Sequence, residues 1–123
     1  MSAYFWVGAG GALGAVFRYA LSTVTVKSDF PFMTFAANLI GAVLIGFIVG
    51  LASGTKLRSD WVLFLKTGFC GGFTTFSTFS LETLTLLERK CYVTGGCYAA
   101  CSLICCIVGV WLGKCIAGLA VGA

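Results

Sequence analysis

Between residues 74 and 80 five of seven side chains carry a hydroxyl: Thr74, Thr75, Ser77, Thr78 and Ser80, directly after Gly68, Gly71 and Gly72. Hydroxyls and backbone dipoles are the groups that can take over the hydration shell of a small ion. Phe76 and Phe79 interleave with them at i, i+3, on neighbouring faces of one helix. Phenyl rings have electropositive edges, so a small anion could pass along them; ordinary core packing is the alternative. Asn38, with Thr34 one turn before it, offers amide donors and an acceptor. Such an amide can lock two helices together or face a polar path, and the hydroxyl run favours the path. Tyr98, Ser102 and Cys106 recur at i, i+4, i+8. That stripe either lines an aqueous route or satisfies its own backbone carbonyls. Arg18 could draw anions to a vestibule or snorkel to an interface. Glu88 reads as a solvated helix end, and Glu82 as the one carboxylate deep enough to cycle a proton within a span.

These groups must be carried by membrane helices. The chain has 123 residues, of which 59% are hydrophobic and 10% charged, with a mean hydropathy of +1.03, the composition of an integral membrane protein. A span needs about 20 apolar residues, and four stretches qualify, at about residues 4–24, 30–53, 61–87 and 92–121. The expected architecture is all-α, a single four-helix transmembrane domain over residues 1–123, in the cell (inner or plasma) membrane. Too little chain remains for a water-exposed active site, so an enzyme is not expected. The first stretch lacks a basic leader segment and a small-x-small cleavage pattern, and reads as a helix rather than a signal peptide. Loops are short, at 25–29, 54–60 and 88–91, and Pro31 stands at the start of the second span, where its missing N–H costs least.

The glycine and hydroxyl run falls inside the third stretch. Glycine and local side-chain bonding both weaken a helix, and irregular backbone at membrane depth must be buried in protein or line a polar cavity. The third helix is therefore expected to break mid-membrane and to form the working part of a pore or carrier. Glycines at small-xxx-small spacing (Gly10 with Gly14, Gly46 with Gly50, Gly68 with Gly72, Gly109 with Gly113, Gly118 with Gly122) predict close helix pairs. Gly8, Gly10 and Gly14 lack the spacing and the preceding strand of a dinucleotide fingerprint.

The net charge is +4, yet the basic residues punctuate span ends rather than cluster, which argues against nucleic acid. With four spans, Lys56, Arg58, Lys66 and Lys114 fall towards one side, and Arg18, Lys27, Arg89 and Lys90 towards the other. Orientation normally follows a Lys/Arg excess in cytoplasmic loops. An even split predicts insertion in both orientations and an antiparallel pair of chains, the inverted symmetry that larger transporters encode in one chain. A fixed orientation set by finer detail is the alternative. The seven cysteines do not make a secreted disulfide framework. Five lie in the fourth span, and Cys97, Cys101 and Cys105 share a face. Without histidine or ligands from other elements they read as packing residues rather than a metal site.

Three motifs together resemble the Fluc (CrcB) fluoride ion channel family. Residues 10–19 read GGALGAVFRY, Thr34, Asn38 and Gly41 match a T-x-x-x-N-x-x-G pattern, and residues 68–79 read GFCGGFTTFSTF. The resemblance covers the whole chain. It implies an antiparallel dual-topology homodimer with two pores, in which Phe76 and Phe79 form an aromatic box along the fluoride path beside the donor Asn38. On the same basis Thr34, Ser77 and Thr78 belong to the path, and Tyr98, Ser102 and Cys106 continue a polar track. Backbone carbonyls of Gly71 and Thr74 would hold a central structural Na⁺ at the dimer interface, and Arg18 would be the basic residue of the first motif, at a vestibule shared with Glu88. Departures are Ala37 in place of Val, Ala42 and Val43 in place of Ser-Phe, and Cys106 in place of Ser, a weaker donor.

The implied activity is passive export of fluoride that entered as neutral HF and ionised at cytoplasmic pH. Neutral donors and phenyl edges would replace water without holding the ion too tightly to release. Two other classes compete. A small four-span proton-coupled multidrug or anion exporter wants an acidic residue deep in the first span, which has none. A membrane thiol enzyme wants a Cys-x-x-Cys pair or a cationic helix terminus to activate a cysteine, and neither is evident.

Overall fold

The computed structural model describes residues 2–55 and 57–122, and Lys56, which enters the charge balance, lies outside them. Every regular element is helical. Helix α1 spans Ser2–Ser22, α2 Phe32–Gly54, and α5 Tyr92–Gly122. Between them a rod over residues 59–73, here α3, is built from Ser59–Val62, a wider π-wound stretch Leu63–Cys70, and Gly71–Phe73. Right-handed helical dihedrals at Val62, Leu63, Cys70 and Gly71 make it continuous. Helix α4 follows at Phe76–Glu88.

Helix boundaries differ from the sequence expectation by about two residues, with local causes. The hydroxyls of Ser22 and Thr23 donate to the carbonyls of Tyr19 and Ala20, each at 2.6 Å, drawing the end of α1 out of register. Pro31 stands at the N-cap of α2 rather than within its first turn. The π-wound stretch has no counterpart in the sequence reading. The interruption of the third span falls at Thr74 and Thr75, both extended, while Gly68, Gly71 and Gly72 stay helical. The glycines soften the approach; the hydroxyl pair makes the corner.

Two of the helices, α2 and α5, are each long and apolar enough to cross a bilayer unaided. They lie side by side and run parallel: Gly46 meets Val110, Gly50 meets Lys114 and Ala117, and Gly54 meets Val121. On the other flank α1 runs parallel to α3, from Trp6 beside Trp61 and Phe64 to Arg18 beside Gly72. The loop residues Asp29 and Arg89 pair at 3.2 Å. That pair is exposed and adds little stability, but it places the first and third connections at one end of the bundle. The turn after α4 closes with Lys90 N–H on Leu87 O and Cys91 N–H on Leu86 O, and Lys90 takes the left-handed φ of 62°, the place glycine usually fills in such a helix stop.

Four of the five glycine pairs meet a partner backbone or side chain. A Cβ on Gly10 would strike Phe64 O and come within 3.0 Å of Phe69 N, and one on Gly14 would strike Phe69 O. Gly72 reciprocates against Gly11 O, and Gly113 sits against Val43 O. These are approaches of backbone to backbone, the form of association left to helices in lipid, where apolar burial gives no driving force. The fifth pair is a correction: neither Gly118 nor Gly122 has anything within 4 Å, because both lie off the face of α5 that meets α2 through Ala117 and Val121. Gly10→Ala and Gly113→Ala should therefore lower the thermal midpoint of the detergent-solubilised protein by several degrees or abolish its yield. Gly118→Ala should leave both unchanged, and equal behaviour of the three variants would contradict this packing.

Candidate functional site

The site is organised by one side chain that closes the chain break. In a continuous helix Thr75 N–H would bond back to Gly71 O. Instead it donates to Asn38 Oδ1 at 2.7 Å, while Asn38 Nδ2 donates to Thr75 O at 3.1 Å. Asn38 thus supplies both halves of a peptide-like pairing to a residue that has left its helix. Such pairing is obligatory where water is scarce, since an unsatisfied buried backbone group costs about 1–3 kcal/mol. Asn38 thus ties α2 to the break, and one amide N–H remains for a further acceptor.

Local sequence completes the corner. Thr74 Oγ1 donates to Cys70 O at 2.8 Å, and Thr75 caps α4 by accepting from Thr78 N at 3.1 Å. Thr75 Oγ1 also lies 3.0 Å from Thr78 Oγ1 and 3.3 Å from Ser77 Oγ. Arg18 Nε donates to Gly72 O at 3.0 Å, so this half-buried guanidinium holds the end of α3. Among the described residues neither Gly71 O nor Thr74 O accepts a hydrogen bond.

The break opens into a cavity of about 550 Å³ between α2, α3, α4 and α5. Its wall gathers Asn38, Gly71, Thr74, Phe76, Phe79, Ser102 and Cys106 from four separate elements. The phenyl rings of Phe76 and Phe79 lie 5.7 Å apart, tilted by 48°. Phe76 is 80% exposed, far more than core packing would leave it. Ser102 is 7% exposed, and its hydroxyl has no hydrogen-bond partner. Buried hydroxyls without a protein partner are commonly met by ordered water or an ion.

Other expected residues take different places. Tyr98 is fully buried, with its ring 5.1 Å from that of Phe79, and its hydroxyl donates to Glu82 Oε1 at 3.1 Å rather than to a backbone carbonyl. Thr34 lies on a second, small cavity with Arg18, Thr75 and Thr78, and donates to Glu82 Oε2 at 3.1 Å. Ser77 is exposed and lies on neither cavity wall, and Glu88 is exposed at the end of α4, also away from both. Glu82 is the site residue that sequence reasoning set aside. It was legible as the deep carboxylate, but its joining of Thr34 on α2 to Tyr98 on α5 depends on helix packing. Cys97 and Cys101 are exposed, whereas Cys70 on α3 is buried against the cavity.

The arrangement defines a class: a small helical membrane protein whose interrupted third span lines a cavity with phenyl edges, hydroxyls and an amide. The model for the family described as CrcB-like protein, Camphor Resistance (CrcB), matches residues 5–114, and the chain belongs to that family. Relatives named fluoride-specific ion channel FluC include one from Sorangium cellulosum, 41% identical over 95% of each chain. Another, from Thermococcus gammatolerans, is 45% identical over 87% of this chain and 89% of the relative. A third, from Clostridium novyi, is 44% identical over 88% of each. The family is thus one of ion channels rather than enzymes.

Removing Asn38 should have two separable effects. Asn38→Ala strands the N–H and C=O of Thr75 and should lower the thermal midpoint. Asn38→Asp keeps the acceptor for Thr75 N–H and should lose less. Thermal unfolding of both variants in detergent checks the order, and equal midpoints for wild type and Asn38→Ala would show that the break is held by something else.

Proposed function

We propose that this chain is a passive fluoride-selective channel of the cell membrane, acting as an antiparallel dual-topology homodimer. The observation that carries the reading is the cavity wall on which Asn38, Phe76, Phe79 and the orphan hydroxyl of Ser102 converge. Fluoride holds its water tightly, so a path must offer replacement contacts at close range. The spare amide N–H of Asn38, the ring edges of the two phenylalanines and the Ser102 hydroxyl are such contacts, and none carries a full charge that would trap the ion. Cys106, one turn beyond Ser102, continues the same face with a weaker donor.

Thr34, Ser77 and Thr78 extend the hydroxyl surface around the break, and Tyr98 positions Glu82 behind Phe79. Arg18 acts by fixing Gly72 and hence the corner, in addition to its expected place near a vestibule. Glu88 belongs to that vestibule at the water boundary. The whole of residues 1–123 serves as one four-helix transmembrane domain whose third helix breaks at membrane depth. Several features support pairing of two chains. The Lys/Arg count is even between the two sides, Phe76 stands open at the cavity mouth, and glycines such as Gly71 and Gly96 have no neighbour within one chain.

A structural Na⁺ fits the corner. The carbonyls of Gly71 and Thr74 are left without hydrogen bonds by the turn of Thr75 towards Asn38, and a hard cation takes carbonyl oxygens. Space is open beside Gly71, where an added Cβ would meet nothing within 4 Å. Bound there, the ion would supply a fixed positive charge and tie the corners of the two chains together. Within this chain the work is done by the neutral donors along the cavity.

The test is anion efflux from liposomes holding the purified protein, fluoride against chloride, with Phe79→Ile and Glu82→Gln alongside. The expected result is rapid fluoride release, chloride retention, and at least about a hundredfold loss in Phe79→Ile, of the size seen when one essential stabilising group is removed from a polar site. Dependence on an imposed pH gradient, abolished by Glu82→Gln, would instead favour proton-coupled export. The paired carboxylate between Thr34 and Tyr98 makes that arm worth running.

A further inference from the structure

Lys66 is the one charged side chain on the wall of the large cavity among the described residues. It is exposed and has no carboxylate within ion-pairing distance there; the ion pairs present are Arg58 with Asp60 and Arg89 with Asp29. Its neighbour Thr67 is also on the wall and exposed. Thr67 differs from the other hydroxyls of this part of the chain. Thr74, Ser80, Thr83 and Thr85 all return their hydroxyl to the carbonyl four residues back, whereas Thr67 makes no such bond. An unpaired ammonium and a free hydroxyl therefore adjoin on the π-wound stretch that faces the cavity.

Register fixes where on the cavity they stand. Thr75 is level with Asn38, and Thr74 and Phe73 are level with Gly41. Because α3 runs opposite to α2, Lys66 lies eight residues before Thr74, on the order of 10 Å along the rod from the break, at the opposite end from Phe79. We propose that Lys66, with Thr67, forms an anion-collecting site at this end of the cavity, which raises the local concentration of the permeating anion before it meets the neutral donors. The inference rests on the cavity being the fluoride path. A single exposed charge at the mouth of a low-dielectric cleft focuses counter-ions by a few-fold to tenfold, and that effect disappears with salt. A lysine serving only as an interfacial anchor would stabilise the protein without any salt-dependent effect on flux.

The experiment is single-channel recording in planar bilayers of neutral lipid at fixed fluoride concentration, with ionic strength set by an impermeant organic salt. At about 10 mM the screening length is about 30 Å, and at about 1 M it is about 3 Å. Lys66→Gln should carry roughly one third of the wild-type fluoride current at the lower strength and match wild type at the higher. Lys66→Glu should fall lower still, and Lys66→Arg should keep the wild-type current. Equal currents in wild type and Lys66→Gln at low ionic strength would overturn the inference, as would the same fractional loss at both strengths. Absence of fluoride current in the wild type would instead remove the channel reading itself, and the inference with it.

Discussion

Backbone that leaves a helix must find new partners for its N–H and C=O, and here both are supplied by the Asn38 side chain. Its amide takes the place of a strand neighbour for Thr75, accepting from the N–H and donating to the carbonyl. Remove that pairing and the extended conformation of Thr74 and Thr75 has no reason to persist, because continuing α3 into α4 would satisfy the same groups internally. The cavity, the exposed setting of Phe76 and the freed carbonyls of Gly71 and Thr74 all descend from the corner. So does the role of Arg18, which bonds the last turn before the corner through Gly72.

Close packing supplies the rest. Helices α1 and α3 approach with almost no side chain between them, and α2 and α5 likewise. Glycine backbones against carbonyls at Gly10, Gly14, Gly72 and Gly113 permit this. Those contacts are short range and directional, so they fix axial register as well as distance. Register is what brings Thr34, Glu82 and Tyr98 from three helices to one carboxylate. The carboxylate is met by two hydroxyl donors and, among the described residues, by no cation, an arrangement that holds three helices together.

The sequence carried most of this in composition and spacing. Four helical stretches were legible from their apolar length, the Gly-xxx-Gly ridges from their spacing, and residues 68–80 because they depart from what a lipid-facing helix tolerates. The partner of Asn38 was not legible: an amide in a span announces a hydrogen bond but not its address, and only packing shows that the address is Thr75. The corner was expected somewhere within residues 68–80 and lies there, at Thr74 and Thr75. Gly71 and Gly72 remain helical, while Thr74 and Thr75 use their hydroxyls to satisfy a carbonyl and to cap the next helix. The π-wound stretch and the surroundings of Glu82 leave no local signature, since both arise from the fit of one helix against another.

The same reasoning separates two kinds of polar residue along the fourth and fifth helices. Hydroxyls that bond back to the preceding turn, as in Thr83 and Thr85, are spent on their own helix and can face lipid at little cost. Ser102 is not spent, although it is buried, and a polar group left so in a native structure points to something the single chain does not supply. It shares the cavity wall with Asn38, Phe79 and Cys106. On the proposed channel reading, a small anion that sheds its water meets both the hydroxyl and the ring edges, and the two become parts of one provision.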